Sequence, residues 1–339
     1  MIDKNLTTDE IKVKDYCKHG DINEYLGLIL GEDFEKYREC WKMASRMERE
    51  LEFPLFLVFE TMFKCNLKCI MCIHSNDGKV RYGYEEKLPF EIYKKIMDEA
   101  SQYYCPSLTI GGTSEPLLDD RLSDMIELAT KSGFIDTMVN TNATLLTEKI
   151  GVDLVNSGLK RLRIGFDGIT AKTYERIRVG ASFDKVKRNI TNFIKLRNTM
   201  DKKIPLVRVS CVHLMENDKE LIEFVEFWHS IADYVSIQRY KPHELSNERS
   251  WKKIGAGENV VENVKCSQPY ERLYIRGNGD VHACCSMVYG PKVGNVFKDS
   301  LYHIWNSDKM MYLRHALKNE DWGSIPVCKE CMVNTYGLL

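Results

Sequence analysis

The chain reads as an α/β protein: an incomplete barrel of six strand–helix units, followed by a small cysteine-bearing module. Two patterns carry this expectation. Between Pro54 and Tyr240 short apolar runs alternate with amphipathic stretches, which is how parallel strands with right-handed crossovers and helices on the outside are written. Beyond residue 265 the cysteines Cys266, Cys284, Cys285, Cys328 and Cys331 surround a glycine turn, in a segment too short to bury much core of its own. A chain of 339 residues with 44% hydrophobic residues has room for one large domain of about 200 to 250 residues and a smaller one.

Taken in order, residues 1–53 form a charged, helix-prone extension. Apolar positions recur there at helical spacing (Tyr25, Leu26, Leu28 and Ile29, then Phe34, Tyr37 and Trp41), and no proline precedes Pro54, so two or three helices packed against the barrel are expected. The barrel occupies 54–240. Its strands read at 55–60, 107–111, 136–141, 160–166, 206–213 and 234–240, and its helices at 89–103, 119–131, 147–157, 183–199 and 217–231. Six units suit a partial (β/α)6, TIM-like barrel whose chemistry sits at the C-terminal strand ends. Residues 241–265 are polar, contain Gly255-Ala-Gly257 and read as a linker. The module occupies 266–339, with a hairpin of Arg272 to Arg276 and Asp280 to Cys284 about Gly277-Asn-Gly279.

Composition excludes several function classes. Lys+Arg 48 against Asp+Glu 49 leaves a formal charge of −1, so no global field draws nucleic acid or an anionic membrane surface. No apolar run approaches the roughly 18 residues of a membrane span, and the first residues lack a signal-like apolar core, so a cytoplasmic location is expected. In a reducing compartment twelve cysteines point to metal ligation rather than disulfides.

The most selective signal is Cys65-x3-Cys69-x2-Cys72, directly after the apolar run Leu55 to Phe59. Three soft thiolates on one loop suit three irons of a 4Fe-4S cubane and leave the fourth open to a non-protein ligand. A closed structural zinc site would want a fourth cysteine nearby. Here the chain resembles the radical S-adenosylmethionine (radical SAM) superfamily, with Met71 where an aromatic residue often precedes the third cysteine. The resemblance implies that the open iron chelates SAM and that reductive cleavage yields a 5'-deoxyadenosyl radical, which abstracts a hydrogen atom from substrate. It also implies a ferredoxin- or flavodoxin-type reductant.

The C-terminal pattern Cys266-x12-Gly279-x4-Cys284, then Cys328-x2-Cys331, resembles the Twitch module, a shortened SPASM extension. It implies a second 4Fe-4S cluster, beside the first, on Cys266, Cys284, Cys328 and Cys331, with Cys285 surplus. A four-cysteine structural zinc is the alternative. Only eight residues follow Cys331, which leaves no place for the further cysteines of a two-cluster SPASM domain.

Around the first cluster, Gly111-Gly112-Thr-Ser-Glu115-Pro116 resembles an expanded Gly-Gly-Glu-Pro motif. Its glycines would let backbone approach SAM, and the Glu115 carboxylate would accept the SAM ammonium. Asn140 and Asn142 would lie near the ribose or methionine moiety, or are ordinary turn asparagines. Arg161-Leu-Arg-Ile-Gly-Phe-Asp167-Gly168 resembles the strand ending in Ser-x-Asp-Gly, with Gly165 in place of the serine. Arg178 follows the pattern for a contact to the SAM carboxylate. Strand alternation turns Arg163 and Asp167 toward the lumen, and by the same logic Arg208, Ser210, Gln238 and Tyr240. His74 reads as a solvent-facing histidine or a substrate contact.

The resemblance covers roughly Pro54 to Met332 and is unspecific for substrate. The leading expectation is a small polar substrate dehydrogenated at a secondary alcohol of a sugar or cyclitol, as in the branch that includes the 2-deoxy-scyllo-inosamine dehydrogenases, with the second cluster accepting the electron. An epimerase in which Cys285 returns the hydrogen atom is the runner-up. Peptide maturation comes third, because the N-terminal segment is too short and too helical for a winged-helix recognition domain. A non-enzymatic iron-sulfur carrier has no use for the Gly-Gly loop.

Overall fold

A computed structural model describes residues 15–73, 87–240, 265–285 and 290–336. His74 and all but the last residue of the expected linker lie outside them. The element order is β1 (Asp15–Cys17), α1 (Ile22–Leu30), α2 (Glu32–Ser45), β2 (Phe56–Glu60), α3 (Phe90–Ala100), β3 (Ser107–Ile110), α4 (Leu122–Lys131), β4 (Asp136–Thr141), α5 (Glu148–Asn156), β5 (Arg161–Gly165), α6 (Ala171–Ile177), α7 (Phe183–Thr199), β6 (Leu206–His213), α8 (Leu221–Ile231) and β7 (Tyr234–Arg239). The remainder is α9 (Gln268–Glu271), β8 (Arg272–Arg276), β9 (Asp280–His282), β10 (Lys292–Asn295), α10 (Leu301–Trp305), α11 (Asp308–Lys318) and α12 (Pro326–Tyr336).

All six expected strands are present as parallel neighbours in the order β7-β6-β5-β4-β3-β2. Two strands were not anticipated as part of this sheet. β1 adds to β7 antiparallel. β8 pairs parallel to β2, from Phe56↔Arg272 to Glu60↔Arg276, and carries β9 and β10 with it. The cysteine module therefore continues the barrel sheet.

Alternation along the strands divides the side chains. Leu57, Phe59, Leu108, Val139, Leu162, Ile164 and Val209 face the helices, where Tyr93, Met125, Ile190, Phe224 and Trp228 complete one large core. Phe56, Val58, Met138 and Tyr274 point the other way and pack with Trp41 of α2 inside the barrel. The N-terminal ends of the strands are plugged. Ile22, Leu26, Phe34 and Tyr37 of α1 and α2 bury against Leu55, Leu206, Tyr234 and Tyr270, so the extension packs on the barrel as its helical spacing required. The module is pinned by Glu99, which accepts from Leu301 N (3.0 Å) and Tyr302 N (2.8 Å), and by Trp305 Nε1 donating to Leu51 O at 2.7 Å. No helix among the described residues is long and apolar enough to cross a membrane.

One ionic cluster sits behind the β3 loop. Asp119, whose side chain is fully covered, accepts from Arg121 Nε (2.9 Å) and Nη2 (2.8 Å) and from Lys87 Nζ (3.0 Å). Burial pushes its carboxyl up, but these donors outweigh burial and hold it at about 2, against an ordinary 3.8. A carboxyl depressed in the folded state stabilises fully above its unfolded pKa, and the contribution fades as pH falls from about 4 toward 2. In urea unfolding of the wild type and Asp119→Asn, the stability difference is expected to be constant above about pH 5 and to shrink below about pH 4. A gap that does not change with pH would exclude this network as its source.

Candidate functional site

β2 ends at Glu60, and the loop that follows carries Cys65, Cys69 and Cys72, so the three thiols lie at the C-terminal mouth of the barrel. Backbone bonds from Lys68 N to Val179 O and from Ile70 N to Ile177 O (both 3.0 Å) lace this loop to the end of α6. Cys72 N donates to Cys69 O at 2.9 Å. Cys65 and Cys69 are near enough for their charges to interact. Burial pushes both thiols up from the ordinary value, with Leu67 N at Cys65 and Arg178 at Cys69 opposing it.

Glu60 has a role that the sequence did not reveal. Its buried carboxylate accepts from the backbone N–H groups of Gly112, Thr113 and Ser114 and from Ser114 Oγ. It thus absorbs the Thr-Ser expansion of the loop after β3. Gly111 has φ +87°, and a Cβ there would lie 2.8 Å from Asn140 O; only glycine fits. Asn140 Nδ2 donates back to Gly111 O at 2.5 Å. Glu115 is held by its neighbours. It is 1% exposed, and its oxygens are taken by Thr141 Oγ1 (2.6 Å), Asn142 N (2.7 Å) and Leu117 N (3.1 Å). The carboxylate ties the β3 loop to the end of β4.

Asn142 and Arg178 both address sulfur. Asn142 Nδ2 lies 3.8 Å from Cys65 Sγ and 3.0 Å from Asn66 Oδ1, while its Oδ1 accepts from Thr144 N at 2.9 Å and so fixes the amide. Arg178 Nη1 lies 3.8 Å from Cys69 Sγ, and Nε donates to Asp167 Oδ2 at 2.5 Å. Asp167 also accepts from Val212 N at 2.7 Å and is fully buried. Its carboxylate aims Arg178. A Cβ at Gly165 would lie 2.2 Å from Arg178 Nη2. The guanidinium thus fills the space that a serine at 165 would need.

The second cysteine set is at the other end of the barrel, not beside the first. Because β8 runs parallel to β2, Cys266 and α9 precede the strand at its N-terminal end, and β9 descends to bring Cys284 and Cys285 back to the same end. The length of β2, about 13 Å at 3.3 Å per residue, separates the two levels. Cys266 interacts electrostatically with Cys285 and Cys331, and Cys328 with Cys266 and Cys331. Burial pushes Cys266 up to about 11 and Cys328 up to about 12. Cys285, taken from sequence as surplus, is exposed yet joins this group. Gln268 clamps it, with Nε2 3.1 Å from its Sγ and Oε1 accepting its N–H at 2.8 Å. Tyr274 OH, from the lumen, reaches the same Oε1 at 3.3 Å and interacts with both Cys285 and Cys284.

Among the described residues no three His, Cys, Asp or Glu side chains converge as a single-ion site. A cubane instead spreads its thiolates over separate irons, and three thiols on one short loop supply that donor chemistry. Residues 59–227 match the family model described as "Radical SAM superfamily", and residues 266–332 match the one described as "Iron-sulfur cluster-binding domain" (SPASM). The chain belongs to the radical SAM superfamily, with a SPASM domain. Such domains imply SAM and 4Fe-4S clusters as cofactors.

Relatives of this radical SAM protein differ in what they act on. It is 24% identical to the tungsten-containing aldehyde ferredoxin oxidoreductase cofactor-modifying protein of Pyrococcus furiosus, over 81% of this chain and 86% of that one. It is 27% identical to the mycofactocin maturase MftC of Mycobacterium tuberculosis, over 59% of this chain and 48% of the maturase. Among solved structures, BtrN in complex with AdoMet and 2-DOIA superposes with a TM-score of 0.52 at 19% identity, covering 82% of this chain and 92% of BtrN. SuiB of Streptococcus suis bound to S-adenosylmethionine superposes with a TM-score of 0.62 at 18% identity, covering 83% and 72%. At these identities the likeness is one of fold.

Proposed function

We propose that this radical SAM enzyme dehydrogenates a secondary alcohol of a sugar or cyclitol, with a second 4Fe-4S cluster on Cys266, Cys284, Cys328 and Cys331 as electron acceptor. What supports the reading is that the two cysteine sets bracket the barrel interior: Cys65, Cys69 and Cys72 at its mouth, the C-terminal set at its floor. An alcohol in that lumen would lie between the point of hydrogen abstraction and an electron sink. SAM and a reduced cubane supply the hydrogen-atom abstraction when bound.

The protein's own part is positional. Cys65, Cys69 and Cys72 would hold three irons of the cluster and leave one for SAM, Arg178 and Asn142 donate to the sulfurs of Cys69 and Cys65, and Gly111 and Gly112 would keep side chains away from SAM. A ferredoxin- or flavodoxin-type reductant in a reducing cytoplasm completes the system. That BtrN was solved with 2-DOIA favours a cyclitol. Modification of a peptide is the second reading, favoured by the likeness to SuiB, also solved with its precursor peptide SuiA, and to a mycofactocin maturase.

The test uses the anaerobically reconstituted enzyme with protiated and carbinol-deuterated alcohols. Deuterium is expected in 5'-deoxyadenosine together with a ketone product, and Cys285→Ala is expected to retain substantial turnover with no solvent deuterium at carbon. Product labelled from heavy water, with turnover lost in Cys285→Ala, would instead make the enzyme an epimerase with Cys285 as hydrogen donor.

A further inference from the structure

On the lumen face of the sheet stand two arginines whose Nε atoms have no hydrogen-bond partner among the described residues. Arg163 of β5 and Arg208 of β6 are Cα neighbours in the strand register and share the lumen face, since Leu162, Ile164, Val207 and Val209 all point into the helix-side core. Both residues are half-buried. Among the described residues the Nε atom of each is covered and makes no hydrogen bond, and neither guanidinium forms an ion pair. Asp136, the acid on the adjoining strand, is already taken by Arg161 Nε at 2.8 Å and by Arg161 Nη2. Burial and then the neighbouring Arg208 push Arg163 down to about 10, more than Tyr234 and Asp136 offset. Two adjacent guanidiniums are mutually repulsive and costly to cover unless something negative joins them.

We propose that Arg163 and Arg208 form an oxyanion subsite for the substrate, gripping a carboxylate or phosphate monoester in the barrel lumen. This rests on the lumen being the substrate site, as in the function proposed above, and adds that the substrate is anionic. Planar guanidinium forks match either oxyanion. The geometry also sets the reach. Gly165, one lumen-facing position further along β5, lies under Arg178 at the Cys69 loop, about 7 Å beyond Arg163 at 3.3 Å per residue. A compact acid held at its anionic end would therefore present a carbon several ångströms away to the mouth. The lumen faces of β2, β4 and β8 add Val58, Met138 and Tyr274, a largely apolar surface that suits the body of such a molecule.

The test is equilibrium dialysis of the reconstituted protein with SAM against radiolabelled inorganic phosphate and, separately, malonate. The comparison set is wild type, Arg163→Gln, Arg208→Gln and a surface control, Arg46→Gln. One saturable site per chain is expected for at least one probe, weakened about ten-fold or more in each lumen variant and unchanged in the control. The tighter probe tells phosphate from carboxylate. Uncoupled SAM cleavage should persist in both lumen variants, and Arg163→Leu should melt no lower than wild type in anion-free buffer, because it removes a repelled charge. Absence of a saturable site, equal binding by wild type and lumen variants, loss of SAM cleavage, or a lowered melting point would each overturn the proposal. Because binding is read without turnover, failure of the dehydrogenase reading leaves this result standing, and the reverse also holds.

Discussion

Replacing Cys65, Cys69 and Cys72 together by alanine is expected to abolish SAM cleavage while sparing the C-terminal iron. The two cysteine sets occupy opposite ends of the β2–β8 pair, so removing one leaves the other set's scaffold untouched. Each set of thiols, with sulfide, would hold about four irons. The reconstituted wild type should then carry about eight irons, and the triple variant about four with no measurable 5'-deoxyadenosine. Persistent 5'-deoxyadenosine formation would show that the cleavage site lies elsewhere. Stoichiometric zinc replacing half the iron in the wild type would show a structural metal in the C-terminal set.

The second large effect belongs to Asp167. Its carboxylate is fully buried and holds Arg178, whose side chain is 15% exposed, while also accepting from Val212 N. Asp167→Ala strands a guanidinium beside Cys69 and orphans a backbone donor. Removing one partner of a covered ion pair costs about 3–5 kcal/mol, so urea unfolding of the cluster-free chain should show a loss of that order. Freed from Asp167, Arg178 should also leave Cys69, and the reduced EPR signal and potential of the first cluster should shift. A loss under about 1 kcal/mol with an unchanged signal would mean that solvent already screens the pair.

What could be read in advance was whatever local periodicity encodes. Leu162 and Ile164 alternate with Arg161 and Arg163, and that alone gave both the strand and its lumen face; the hairpin of Arg272 to Arg276 and Asp280 to His282 was legible from the glycine turn Gly277-Asn-Gly279 between them. β1 escaped because Asp15-Tyr-Cys17 is a three-residue edge strand with no pattern to detect, and α6 because seven residues are too few for a helical period. The partner of β8 was illegible for another reason: pairing with Phe56 to Glu60 is a contact between distant segments. The site residues divide likewise. Three cysteines on one loop announce themselves by spacing. Glu60 and Gly165 matter only through Gly112–Ser114 and Arg178, which lie elsewhere in the chain. The neighbours that cover Glu115, Thr141 and Asn142, were likewise beyond a motif's reach.

The insertion of β8 beside β2 has a consequence for how the protein is made. Until Arg272 to Arg276 have left the ribosome, the first strand of the barrel has one bare hydrogen-bonding edge, directly before the Cys65 loop, and an unpaired edge of that kind invites intermolecular pairing. Such distant pairing is slow to close. The nascent barrel therefore depends on its final segment for completion, and iron delivered to the first three cysteines before then would meet a scaffold still open on one side.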